Sequence, residues 1–187
     1  LFMGDEWGAS TPWPFFTSHP EPELGRATAE GRLAEVVKMG WDESVVPDPQ
    51  DPATFASARL QWEELDDGVH ARLLALHRDL IALRRATPEL TDPSFIHSTG
   101  EISGPSADVP PAMFRMNRGA GLRDSARGIV TVCVAFGEEA VFAVEENAGR
   151  TARILLATTD ARLEVNERAE LALLTLPAWS AAVVRVR

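Results

Sequence analysis

Cysteine is nearly absent from this chain. Among 187 residues only Cys133 carries a thiol, so no disulfide can form within the chain and no cysteine-rich metal site can be built. Its place inside an apolar alternation reads as a small buried hydrophobe. Long apolar runs are missing too: nowhere do roughly 18 apolar residues follow one another, so no membrane-spanning helix is expected. No secretory leader is visible, which sets a cytoplasmic expectation. Clustered positive charge is scarce. Lys and Arg number 18 against 28 Asp and Glu, for a net charge of −10. Nucleic acid and anionic membrane surfaces need grouped Lys and Arg, so neither is an expected partner. The one dense basic pair, Arg84-Arg85, suits the C-terminal dipole of a helix.

Several chemical signatures are absent as well. There is no His-Glu-x-x-His and no calcium-loop spacing, and His70 and His77 stand too far apart for the i, i+4 metal geometry. Gly119-Ala120-Gly121 lacks the strand-to-helix context of a phosphate loop. No nucleophile elbow of the Gly-x-Ser-x-Gly type occurs. No metal and no cofactor is expected.

What is present begins at the first residue. Leu1-Phe2-Met3 stops at Gly4 and leads into Asp5-Glu6-Trp7, the pattern of a barrel strand ending at a functional loop. Adjacent residues of an extended backbone face opposite ways, so Asp5 and Glu6 cannot together flank one glycosidic bond. Taken alone, such an acidic pair more often caps a helix or pairs a cation. Trp7, Trp13, Phe15 and Phe16 follow in a loop stiffened by Pro12, Pro14, Pro20 and Pro22. Aromatic faces beside polar groups suit a sugar, whose apolar face is ringed by hydroxyls. The same rings could equally staple the loop to the core. His19 could hydrogen-bond a substrate or close a turn.

The spacing predicts loop over 9–24 and helix over 25–39, with Leu33, Val36 and Val37 on one stripe and Gly40 as the stop. Asp51-Pro52 predicts a capped short helix to about Ala58. The strongest periodicity, Val69, Leu73, Leu76, Leu80 and Leu83, predicts a helix over 67–86, ended by Thr87-Pro88. Residues 91–111 are rich in Pro, Ser, Gly and Asp and read as linker and loose loop. Beyond Met113 the period changes. Alternating runs at 113–116, 129–136, 140–144, 152–157, 162–165, 169–176 and 180–186 predict a small antiparallel sandwich.

The residues also carry a resemblance. Leu1 to Gly8, Thr11-Pro12, Phe15-Phe16-Thr17-Ser18-His19, Glu23-Leu24-Gly25, Glu30-Gly31-Arg32, Val46 to Phe55, Leu60-Gln61-Trp62 and Leu80 to Arg85 resemble the malto-oligosyltrehalose trehalohydrolases. These belong to the α-amylase family of glycoside hydrolases. The Phe-Phe-Thr-x-His and Pro-Asp-Pro-Gln segments carry most of the specificity, and the likeness is close over residues 1–90. Leu176 to Val184 resembles the last strands of an amylase-type β domain.

The resemblance implies an α+β chain in two parts. Residues 1–90 would be the terminal strand and helices of a (β/α)8 barrel, 91–111 a linker, and 112–187 an all-β antiparallel sandwich. The parent enzyme would cleave the α-1,4 bond beside the terminal trehalose of maltooligosyl trehalose, releasing trehalose with retention. Its glycan partner would be of the maltooligosaccharide or trehalose type. The family's three catalytic carboxylates follow strands four, five and seven, whereas Leu1 would lie near strand eight. No catalytic residue is therefore assigned, and the chain is expected to be a fragment that is inactive alone. Glu6, Trp7, Phe15, Phe16 and His19 fall where the family builds its substrate-binding rim. At position 18 the family commonly has Asp, and Ser18 stands here. A fragment of a glycogen branching or debranching enzyme, and a non-catalytic glycan-binding or scaffold protein, are the rival readings. The stripe of the long helix needs cover, either from residues 25–60 and the β domain or from self-association with a second copy.

Overall fold

A computed structural model describes residues 1–103, 112–119, 128–145, 151–166 and 171–186. The chain divides into two compact units, Leu1–Ala75 and Leu76–Arg187.

The first unit is helical. Leu1–Met3 joins no sheet, and Leu1 is 82% exposed. This corrects the expectation of a strand there: a strand needs a neighbour for its N–H and C=O groups, and none of the described residues supplies one. The chain instead closes a turn through a short 3-10 helix at Asp5–Trp7. Helix α1 spans Pro22–Lys38 and starts three residues earlier than its apolar pattern suggests. Pro22 sits in its first turn, where its fixed φ fits and its missing N–H costs nothing. Only Val36 of the expected stripe is buried. Gly40 ends the helix at φ 79°. Its N–H donates to the Val37 carbonyl at 2.9 Å and that of Trp41 to Val36 at 3.3 Å, a Schellman closure. Helix α2, Pro52–Ser57, is capped by Asp51, whose carboxylate accepts from Ala53 N at 2.8 Å. Helix α3, Gly68–Ala86, crosses the boundary between the units and buries none of its residues fully.

The second unit continues from α3 into a single turn of helix, α4 (Pro88–Thr91), and then into antiparallel sheet. Strands β1 (Ser98–Ser103), β2 (Met113–Arg118), β3 (Ile129–Ala135), β8 (Ser180–Val186) and β5 (Ala152–Ala157) form one sheet in that spatial order. Strands β4 (Ala140–Glu145), β7 (Leu171–Leu176) and β6 (Arg162–Asn166) form the other. The two share one core. Cys133, Ala182 and Val184 from the first sheet cluster with Phe142, Val144, Leu174 and Leu176 from the second. The alternation along β4 and β7 sends every second side chain into this cluster.

Strand β1 lies inside the stretch expected as loose loop. Its sequence, Ser-Thr-Gly-Glu-Ile-Ser, has no apolar alternation, because it is an exposed edge. Polar cross-strand pairs hold it instead. Glu101 faces Arg115 in register and pairs with it at 2.8 Å, and Thr99 faces Asn117 at 3.2 Å. Asn117 in turn accepts from Thr131 on β3 at 2.8 Å. Glu89 on α4 is 2% exposed, and its carboxylate accepts from Arg185 of β8 at 2.9 Å.

Candidate functional site

The opening turn is built around two glycines. Gly4 takes φ 85°, and a Cβ there would stand 2.6 Å from the Cβ of Ala9. Gly8 takes φ 63°, and a Cβ would meet Leu73 at 2.9 Å. The turn closes with Ala9 N donating to the Gly4 carbonyl at 2.9 Å. Asp5 is consumed locally: its carboxylate accepts from Phe2 N at 2.9 Å. Glu6 is half-buried and makes no hydrogen bond or ion pair among the described residues.

Trp7 is 2% exposed and packs on Trp62 with ring centroids 5.4 Å apart. Its faces are covered, and it anchors the turn. His70 on α3 adds a second anchor through an Nδ1 contact of 2.8 Å with the Trp7 carbonyl. Glu64 adds a third, accepting from both the backbone N–H and the hydroxyl of Ser10. These bonds hold the Glu64 carboxyl below its ordinary value, the Ser10 hydroxyl foremost, with the charge of His70 assisting. The Trp7 indole N–H lies near the same carboxylate but closes no hydrogen bond.

Beyond the turn the rings form a ladder. Phe2 meets Trp13 edge-on at 4.7 Å, Trp13 meets Phe16 at 5.7 Å, and Phe16 meets Phe55 of α2 at 5.2 Å. The Arg59 guanidinium sits 5.5 Å over Phe55. Each edge-to-face pair contributes about 0.5–1.5 kcal/mol beyond its area, so Phe16 is mainly a staple. Phe15 differs. It is 47% exposed, lies under the Arg32 guanidinium at 5.7 Å, and lines an open cleft of about 240 Å³ with Gly31, Arg32 and Glu35. His19 lines another cleft, of about 350 Å³, with Arg26, Glu30, Asp48 and Gln50.

Of the five residues expected at a rim, Phe15, Phe16 and His19 share one loop, Phe15 and His19 line different clefts, and Trp7 is enclosed. Of the residues that hold this loop, the sequence gives no sign of Glu64 or His70 in that role and offers Gln50 only as part of the Pro-Asp-Pro-Gln segment. The sequence brings His70 forward only as a potential metal ligand, and no local pattern announces a bond that spans sixty-three positions. Among the described residues, no three His, Cys, Asp or Glu side chains converge as a metal site, and no helix is long and apolar enough to cross a membrane.

Known proteins match part of this sequence. The malto-oligosyltrehalose trehalohydrolase of Arthrobacter ramosus is 69% identical over 88 residues, covering 47% of this chain and 15% of that protein. That of Rhizobium sp. (strain M-11) is 63% identical over 102 residues, 54% of this chain and 17% of the relative. The chain is related to the malto-oligosyltrehalose trehalohydrolases. A trehalohydrolase of Mycobacterium tuberculosis is 54% identical over 97 residues, 52% of this chain and 17% of the relative. The match thus spans only about a sixth of these trehalohydrolases' own length. No protein-family model matches the chain. Among solved structures, one named for an alpha amylase of Salmonella typhimurium superposes on the whole chain and on 27% of its own, with TM-score 0.67 and 24% identity. That likeness speaks for the fold alone.

Proposed function

We propose that the chain is the C-terminal portion of a retaining glycoside hydrolase that cleaves the α-1,4 bond beside the terminal trehalose of maltooligosyl trehalose. The observation that carries the reading is the 63–69% identity to trehalohydrolases over about half the chain. The structure supports it at one point in particular. The two segments most specific to that family, around Phe15–His19 and Val46–Gln50, are joined by hydrogen bonds.

In this reading residues 1–90 complete the catalytic barrel, and the β domain begins with strand β1 (Ser98–Ser103) and takes in residues 112–187. The chemistry belongs to carboxylates outside the chain, and this chain supplies one wall of the pocket. Glu6 offers an uncommitted carboxylate to sugar hydroxyls, Phe15 an open ring to an apolar sugar face, and His19 a second polar contact. Phe16 and Trp7 hold these groups in place. The test has two arms. The 187-residue chain incubated with maltooligosyl trehalose should release no trehalose above a buffer blank. The matched segment grafted into the Arthrobacter ramosus trehalohydrolase should leave that enzyme able to release it. Turnover by the chain alone, or a folded but inactive graft, contradicts the proposal.

A second reading, glycan binding without turnover, is favoured by the exposure of Trp13 and Phe15. Saturable quenching of Trp fluorescence by maltooligosaccharides would support it, and a flat titration would remove it.

A further inference from the structure

Two segments distant in sequence meet at one side chain, Gln50. Its backbone N–H donates to Asp48 Oδ1 at 2.8 Å, which sets the turn into α2. Thr54 of α2 fixes the same turn, donating to the Asp48 carbonyl at 2.6 Å. From this base the Gln50 amide reaches across to the loop before α1. Oε1 accepts the His19 N–H at 3.0 Å, and Nε2 donates to Thr17 Oγ1. The orientation of the amide follows from chemistry, since a backbone N–H can only donate and must face the oxygen. Thr17 N adds a backbone bond to the Pro49 carbonyl at 2.8 Å. Gly25, buried in α1, is the seat: a Cβ there would come within 3.0 Å of Gln50 Oε1. Ser18 lies exposed between the two residues so held.

We infer that Gln50 is a positioning residue, which fixes the Thr17–His19 backbone and so sets where His19 and Ser18 stand for glycan binding. The amide touches no reacting atom. Its effect runs through the loop, so it governs affinity more than the chemical step. The kinetic half of this inference rests on the proposed trehalohydrolase reading, and the structural half stands without it.

Gln50→Leu removes both amide bonds at similar volume. Gln50→Glu retains an acceptor for the His19 N–H and a second oxygen to which the Thr17 hydroxyl can donate. In the 187-residue chain, backbone amide exchange at His19, followed by NMR, should be about tenfold faster in Gln50→Leu, the loss of roughly one hydrogen bond. Gln50→Glu should bring it back to within about threefold of the native rate. Gly25→Ala, which presses on the amide from below, should also speed exchange and serves if Gln50→Leu fails to fold. Unchanged His19 exchange in these variants overturns the inference. In the grafted trehalohydrolase, Gln50→Leu should raise KM about tenfold with kcat within about twofold, and Gln50→Glu should restore KM. A fall in kcat at constant KM overturns the assignment to affinity. A graft that releases no trehalose at all sinks the functional reading, and the exchange measurement then decides the role of Gln50 by itself.

Discussion

Gly4 shows how narrowly single residues specify the opening turn. Its positive φ and the 2.6 Å approach to Ala9 leave no room for a side chain. Gly4→Ala should therefore lower stability by about 1–3 kcal/mol, read as a shift of the urea midpoint; an unchanged midpoint contradicts this. The stop at Gly4 was visible in the sequence, but it marks a closed turn and not the end of a strand. Glu64 makes a pH prediction. Its folded pKa lies below the ordinary glutamate value of 4.5, so its contribution is complete above that value and is lost as pH falls through the folded pKa. The Trp7–Trp62 fluorescence should change in that acidic window, and Glu64→Gln should remove the change. Cys133 is a third case. Burial pushes its thiol up to about 12, so it stays protonated at neutral pH. Ellman's reagent should not label the native chain and should label it fully in denaturant.

Elements with strong periodicity or explicit caps were legible, and those defined by distant partners were not. Helix α3 was readable from its Leu spacing, α2 from Asp51-Pro52, and seven of the strands from their apolar runs. Strand β1 was hidden because an exposed edge needs no apolar face, and its register is fixed by Arg115, Asn117 and Arg118 on the next strand. The start of α1 is hidden because Pro22 continues a proline-rich loop in the sequence, yet it stands in the one turn of a helix that welcomes it. Helix α4 is too short to show in the sequence, yet it carries the most buried ion pair among the described residues. Glu89 is enclosed and holds both Arg185, through its carboxylate, and Arg118, whose Nε donates to its carbonyl at 3.1 Å. Glu89→Ala leaves the Arg185 charge buried without its partner and should cost about 3–5 kcal/mol. Urea unfolding measures it, and a loss below 1 kcal/mol, the size of a surface pair, would show that water already reaches the site.

At the scale of the whole molecule, the candidate site was only half legible. The residues that identify the family lie in a continuous, recognisable stretch. Those that hold the loop, Glu64, His70 and Gln50, act across thirty or more positions; only Gln50 lies in a family-specific segment, and nothing local announces its bond to His19. The apolar residues of α3 raise a further expectation. Leu73, Leu76 and Leu83 are half-buried, but Val69, Leu80 and Ile81 remain exposed, and exposed apolar surface favours association. The chain should therefore sediment with a concentration-dependent mass, and Leu80→Glu with Ile81→Glu should return it to the mass of a monomer. A monomer at all concentrations would remove self-association from the account. The central claim is that this chain supplies a wall, and not the catalytic carboxylates, of a trehalose-releasing site. Trehalose release from maltooligosyl trehalose by the grafted Arthrobacter ramosus enzyme tests it most directly. The account predicts turnover within about tenfold of the ungrafted enzyme, a barrier change under about 1.4 kcal/mol. A graft that folds and releases no trehalose would contradict it.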